Sequence, residues 1–271
     1  AGNTGSGTHN VTVDTGLPSV SFNAISDDNV LNAVEKGQDL SVSGTSANLA
    51  EGTVVTVTLN GKNYTATTAA DGTWSLTVPA ADLAGLGEAN YILNATATNG
   101  VGNSVSSAAN LLVDTALPTV TINTVAGDNV INAAEVAAGQ TITGKVANAE
   151  AGNTVTVNIG GNSYTATVQS DLTWSVSVPE SVLTALGNGD LTVSATVTNG
   201  HGNTGAGERE IVIDASLPGL RIDTVAGDDV INSIEHGQNL IITGSSDGLA
   251  AGTTLTVTVN GKTYAASVLA D

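Results

Sequence analysis

The chain repeats itself every 100 residues, and that period constrains its fold more than any other feature. Val13-Asp14-Thr15-Gly16-Leu17-Pro18 returns as Val113-Asp114-Thr115-Ala116-Leu117-Pro118 and again as Ile213-Asp214-Ala215-Ser216-Leu217-Pro218. Trp74 and Trp174 stand 100 residues apart, as do successive members of Tyr64, Tyr164 and Tyr264. The turn dipeptide Asn60-Gly61 recurs as Gly160-Gly161 and Asn260-Gly261, and no insertion or deletion breaks the register. Counted from the linker aspartates, the chain divides into residues 1–13, 14–113, 114–213 and 214–271. Residues 1–13 align with 101–113 and are expected to be the last strand of a preceding repeat. Residues 214–271 stop before the counterpart of Gly72-Thr73-Trp74, so the third repeat is expected to lack its last three strands. On this reading the chain is an excerpt of a longer array.

Within a repeat the pattern is strand after strand. Ser19–Ala24, Leu40–Ser43 and Val54–Asn60 alternate apolar and polar residues. Asn60-Gly61 between two such runs marks a hairpin, because both residues accept the positive φ of a type I′ turn. Gly72–Val78, Tyr91–Thr98 and Ser104–Val113 complete the set, while only Asn32–Glu35 and Ala80–Leu86 look helical. Seven strands in one 100-residue repeat, with Pro and Gly at the joints, indicate an immunoglobulin-like sandwich. The expected fold class is therefore all-β: tandem seven-stranded β-sandwiches end to end, with two complete ones near residues 17–113 and 117–213. Trp74, Leu76 and Val78 share one face of their strand, which makes Trp74 a core residue rather than a sugar-stacking platform.

Charge narrows the partners. Six Lys and Arg face 25 Asp and Glu, a net charge of −19, so the basic footprint that nucleic acid or an anionic membrane surface requires is missing. No run of 18 apolar residues is present, so no membrane-inserted helix is expected, and the N-terminus lacks the profile of a signal peptide. There is no Cys, hence no disulfide and no thiolate metal site. Two motif matches are accidental. Gly244-Ser245-Ser246-Asp247-Gly248 lacks a following helix, and Gly200-His201-Gly202-Asn203-Thr204-Gly205 leads into a strand. The three His residues do not recur between repeats, which argues against zinc, and no enzymatic activity is expected.

The acid is concentrated. Each repeat carries a cluster after its first strand: Ser26, Asp27, Asp28, Asn29, Asn32 and Glu35, then Asp128, Asn129, Asn132 and Glu135, then Asp223, Asp228, Asp229, Asn232 and Glu235. The first strand of a sandwich runs from top to bottom, and the last ends at the bottom at linker Asp114. Asp27, Asp28, Glu35 and Asp114 are therefore expected to converge at the junction with the next repeat, facing its top loop at Asn199. By the same rule Asp128, Glu135 and Asp214 belong to the following junction. Converging carboxylates without Lys or Arg repel one another, and Ca²⁺, which takes about 6–8 oxygens at about 2.3–2.6 Å, relieves that. The full candidate ligand set is Asp14, Asp27, Asp28, Glu35, Asn99, Asp114, Asp128, Glu135, Asn199, Asp214, Asp228, Asp229 and Glu235. The competing reading is a solvated acidic surface that only maintains solubility.

The VDTALP linker, the AGDNVINAAE loop at Ala126–Glu135 and the DLTWSVSVP strand at Asp171–Pro179 resemble the bacterial Ig-like repeats of giant type I-secreted adhesins. The likeness is closest to the biofilm-associated protein type of enteric bacteria and covers the whole chain. One departure stands out. The family's last inter-strand loop reads ATDxAGN, whereas this chain has Asn99 and Asn199 at the Asp position, keeping an oxygen ligand but losing its charge. The resemblance implies an extracellular, surface-attached protein whose repeats form a calcium-stiffened stalk for cell adhesion and biofilm formation. Calcium is expected to govern the stiffness of the joints more than the fold of each repeat, leaving the chain flexible until export. The alternative is a binding module in which the repeats themselves contact glycan, a host surface or other cells.

Overall fold

The computed structural model describes residues 1–270. Eight strands lie between residues 19 and 113: β1 (Ser19–Phe22), β2 (Val30–Leu31), β3 (Leu40–Ala47), β4 (Val54–Leu59), β5 (Lys62–Thr67), β6 (Thr73–Val78), β7 (Ala89–Thr98) and β8 (Ser104–Val113). One sheet orders β1-β3-β6 and the other β2-β8-β7-β4-β5. The alternating sequence explains the packing: Val55, Val57 and Leu59 of β4 are buried, while Thr56 and Thr58 between them occupy the other face. Asn60 and Gly61 close the β4–β5 hairpin at φ values of 47° and 78°, the conformation that dipeptide was expected to supply. Trp74 is 2% exposed and takes an edge-on contact with Phe22, ring centroids 5.4 Å apart, so its core assignment holds.

The expected seven strands miss β2. This two-residue segment pairs in parallel with the end of β8, Val30 with Leu112 and Leu31 with Val113, and is the one parallel pair of the unit. It matters because it ties the acidic loop to the last strand.

The second repeat builds the same arrangement from β9 (Thr119–Ile122), β10 (Val130–Asn132), β11 (Gln140–Ala147), β12 (Thr154–Ile159), β13 (Asn162–Thr167), β14 (Thr173–Val178), β15 (Gly189–Thr198) and β16 (Thr204–Asp214). Its sheets order β14-β11-β9 and β10-β16-β15-β12-β13. The helical segments differ for a local reason. The first repeat has α1 (Ala80–Leu83) and only a 3₁₀ turn at Glu35–Gly37, whereas the second has α2 (Ala133–Ala138) and α3 (Glu180–Leu186). Gly37 and Gly85 stand where the second repeat has Ala137 and Ala185, and glycine costs about 1 kcal/mol per helical position relative to alanine. Lys62 and Tyr64 both bond Asp82 of α1, at 2.6 and 3.0 Å, which fastens α1 to β5. Burial and this carboxylate together push the Tyr64 phenol up to about 12.

Each of these two repeats has its own core, and no residue belongs to both. The rest of the chain does not reach that state. Residues 1–13 form no strand and are exposed throughout. Their equivalent β8 is paired along its length by β7. The third repeat contains two separate ladders, β17 (Gly219–Ile222) with β18 (Gly244–Asp247) and β19 (Thr254–Val259) with β20 (Lys262–Ser267). β18 has 4 residues where β3 has 8, and in the first repeat Leu40–Thr45 of β3 pair with β6. Its core-type residues stay open, Leu220 at 63% and Leu240 at 40% exposure.

Candidate functional site

The acidic loops are built from short polar side chains that cap their own backbone. Asn32 Oδ1 accepts the N–H groups of Val34 and Glu35 at 3.0 Å, and Glu35 Oε2 accepts the N–H of Asn32 at 3.0 Å. This reciprocal capping box recurs at Asn132 with Glu135 and at Asn232 with Glu235. Upstream, Asp28, Asp128 and Asp228 each accept the N–H two residues on, at 2.9, 2.9 and 3.0 Å. Asn29, Asn129 and Asp229 close the same turn by accepting the N–H four residues back. The linker aspartates Asp14, Asp114 and Asp214 likewise accept the N–H two residues on, at 2.8, 3.1 and 3.1 Å. Every one of these is a turn-forming bond that Asn and Asp make readily.

The parallel β2–β8 ladder sets the level of each group. Asn29 C=O accepts from Leu112 N–H at 2.9 Å, and Leu31 C=O accepts from Asp114 N–H at 3.2 Å. Glu35 and Asp114 therefore flank Asn32 at the bottom end of the sandwich. Asp27 and Asp28 remain in the turn after Ile25, at the height of Leu112, about 7 Å further up the strand by the rise per residue. The structure thus brings Glu35 to the linker and leaves Asp27 and Asp28 behind, which corrects the expected four-carboxylate convergence. The turn closes on its own backbone instead of extending to the tip. Among the described residues no three Asp, Glu or His side chains come together around one point.

The next repeat meets this end through its top loop, as the topology required, but not through Asn199. Asn199 is 8% exposed and shapes its own loop, accepting the N–H groups of His201 and Asn203 at 3.1 and 3.0 Å. Asn99 does the same for Val101 and Asn103. The contact residue is Asn203, 2% exposed: its Oδ1 accepts the N–H of Ala33 at 2.8 Å and its Nδ2 donates to the C=O of Asp114 at 2.8 Å. His201 Nδ1 meets Asp114 Oδ2, and Gly202 passes close to the Asn32 side chain. Glu88 holds the linker from the other side, taking the Thr115 N–H on both carboxylate oxygens at 3.0 Å.

None of Asn203, His201 and Glu88 was singled out from the sequence. Asn203 had a signal, since Asn3 and Asn103 occupy the same place in the repeat. His201 replaces Val101 and carried no repeat signal.

The donor chemistry suits a hard cation even though the groups are not gathered. Among the described residues one oxygen of Asp28, one of Glu35 and both of Asp27 make no bond within the protein, and the one Lys or Arg ion pair is Lys62 with Asp82. Residues that would hold Ca²⁺ are those with free carboxylate oxygen, Glu35 at this end and Asp27 and Asp28 on the adjoining edge, whereas both oxygens of Asp114 are already engaged by Ala116 N–H and His201. The ion would supply positive charge to carboxylates that no Lys or Arg meets, Asp27, Asp28 and Glu35.

No protein-family profile matches the chain, and no curated protein matches it either. Solved structures do. One from a study of host cell surface retention of a 1.5-MDa bacterial ice-binding adhesin is 31% identical, covering 94% of this chain and 84% of that one at a TM-score of 0.50. A Ca²⁺-stabilized adhesin that helps an Antarctic bacterium reach out and bind ice is 34% identical, covering 97% of this chain and 66% of that one at a TM-score of 0.53. A bacterial immunoglobulin-like domain from the M. primoryensis ice-binding adhesin is 36% identical, covering 36% of this chain and 98% of that one at a TM-score of 0.30. The chain belongs to the family of immunoglobulin-like repeats of giant bacterial adhesins. No helix among the described residues is long and apolar enough to cross a membrane.

Proposed function

We propose that the chain is a stretch of stalk in a large bacterial cell-surface adhesin, holding an adhesive tip away from the cell in adhesion and biofilm formation. Residues 14–113 and 114–213 are its complete units, 214–271 part of a third, and 1–13 the end of an earlier one. The protein is extracellular, delivered by type I secretion, and nearest in kind to the biofilm-associated proteins of enteric bacteria. The observation that carries this reading is the end-to-end junction: a buried Asn203 bonding both the linker and the preceding repeat, with equal spacing in every repeat. A stalk needs such joints, and a binding module needs loop variation that these repeats do not have. The units catalyse nothing. The discriminating experiment is a glycan and cell-binding assay with the 271-residue chain. Retention of the chain by cells or glycans supports the binding-module reading and sinks this one.

Calcium is the proposed ligand of the acidic ends, stiffening the joints further. The 34% identical Ca²⁺-stabilized adhesin and the free carboxylate oxygens at Glu35, Asp27 and Asp28 support it. Calorimetric titration is expected to give weak binding, in the range of about 10⁻⁴–10⁻³ M that extracellular modules show. Glu35→Gln together with Asp27→Asn and Asp28→Asn is expected to remove the sites of the first repeat and leave the second repeat's intact. Unchanged heat in that triple variant would refute the ligand assignment.

A further inference from the structure

The first turn after a strand leaves N–H groups that its own helix cannot satisfy. In the capping box of the first repeat, Asn32 Oδ1 takes two of them, from Val34 and Glu35. The remaining one, on Ala33, is taken by Asn203 from the next repeat at 2.8 Å. The equivalent N–H groups of Ala133 and Ser233 have no protein partner among the described residues. Asn203 completes its own hydrogen bonding with the linker: Nδ2 donates to Asp114 C=O at 2.8 Å, and its backbone N–H goes to Asn199 Oδ1 at 3.0 Å. At 2% exposure it is among the few buried polar residues of the chain, a position that costs free energy unless its bonds are met. Asn103, in the same loop position of the first repeat, likewise reaches back to its linker, donating to Asp14 C=O and Gly16 C=O at 3.4 and 3.3 Å.

We infer that Asn203 is a trans-repeat cap: a docking surface on the top of one repeat that captures the free N–H at the bottom of the repeat before it and locks the joint without metal. The partner this surface fits is another repeat of the same kind, one presenting an Asn-capped turn with an unsatisfied N–H at its first position and a linker C=O two bonds away in reach. The inference deepens the stalk reading by naming what couples consecutive units, and it assigns the baseline stiffness to hydrogen bonds, with calcium acting on top of them.

The test uses the absence of Cys, which lets spin labels be placed at Thr65→Cys and Thr165→Cys, both exposed positions on β5 and β13. The inter-label distance is measured in the 271-residue chain in chelator. A single narrow distance is expected, lost on Asn203→Ala and kept on Asn103→Ala. Ala33→Pro is the second variant. Proline is tolerated at the first helical position and removes only the donated N–H, so the fold of the repeat survives while the narrow distance is lost. Circular dichroism and the melting of each unit are expected to stay unchanged in both variants. A broad distance in unsubstituted chain, or a narrow one surviving both Asn203→Ala and Ala33→Pro, overturns the latch. Failure of the stalk reading looks different: the chain binds cells while the narrow distance persists.

Discussion

Gly144→Ala is expected to unfold the second repeat outright. The added Cβ would sit 1.9 Å from Thr121 C=O and 2.4 Å from Cζ2 of Trp174, and neither neighbour can give way. Thr121 belongs to β9 and Trp174 to β14, and β11 is hydrogen-bonded to both, with Gly144 opposite Ile122 on one side and Trp174 on the other. Relief would require parting a three-stranded sheet or expelling a Trp that is 1% exposed. Overpacking of this severity costs about 3 kcal/mol or more, a large share of the stability of one domain. Gly44→Ala is expected to do the same to the first repeat, where the Cβ meets Ser21 C=O at 1.9 Å and Trp74 at 2.4 Å. Gly37→Ala, with open space around it, is the control and is expected to leave the transition in place or raise stability by up to about 1 kcal/mol. Thermal or urea melting of each variant followed by Trp fluorescence decides the matter. A Gly144→Ala chain with two unshifted transitions would show that the strands can part at little cost.

Leu31→Asp should be equally severe, and selective. Leu31 is fully buried in β2 and its surroundings are apolar, so a carboxylate there has no partner and costs on the order of 4 kcal/mol or more. Because the two cores share no residue, only the first repeat should be lost. The expected result is one surviving cooperative transition, with Trp74 exposed and Trp174 still buried. Loss of both transitions would mean that the repeats fold as one body.

How far the sequence leads is clear from particular residues. The period, the Asn60-Gly61 hairpin and the burial of Trp74 were legible because each rests on local pattern: identity at fixed spacing, a dipeptide's φ preference, a two-residue alternation. β2 was not, since a two-residue parallel ladder has no periodicity of its own. Its location depends on β8, some 80 residues later in the chain. The same gap explains the metal set. Asp27 and Asp28 follow the turn that Asn29 closes on Ile25, a local bond that the order of strands does not reveal. Asn203 was hidden for a different reason. An Asn in a loop between Gly202 and Thr204 reads as a turn former, and its role emerges only when another repeat supplies the N–H.

The central claim is that the units stand end to end as a stalk. Strands of roughly 7–9 residues at about 3.3 Å make each unit about 30 Å long, so three units in file extend on the order of 100 Å. Small-angle scattering of the 271-residue chain measures this directly. The account predicts a rod with a maximum dimension of that order in calcium and in chelator alike, the chelator curve at most slightly more flexible. A radius of gyration near ~19 Å, the value for a compact globule of this length, would contradict it.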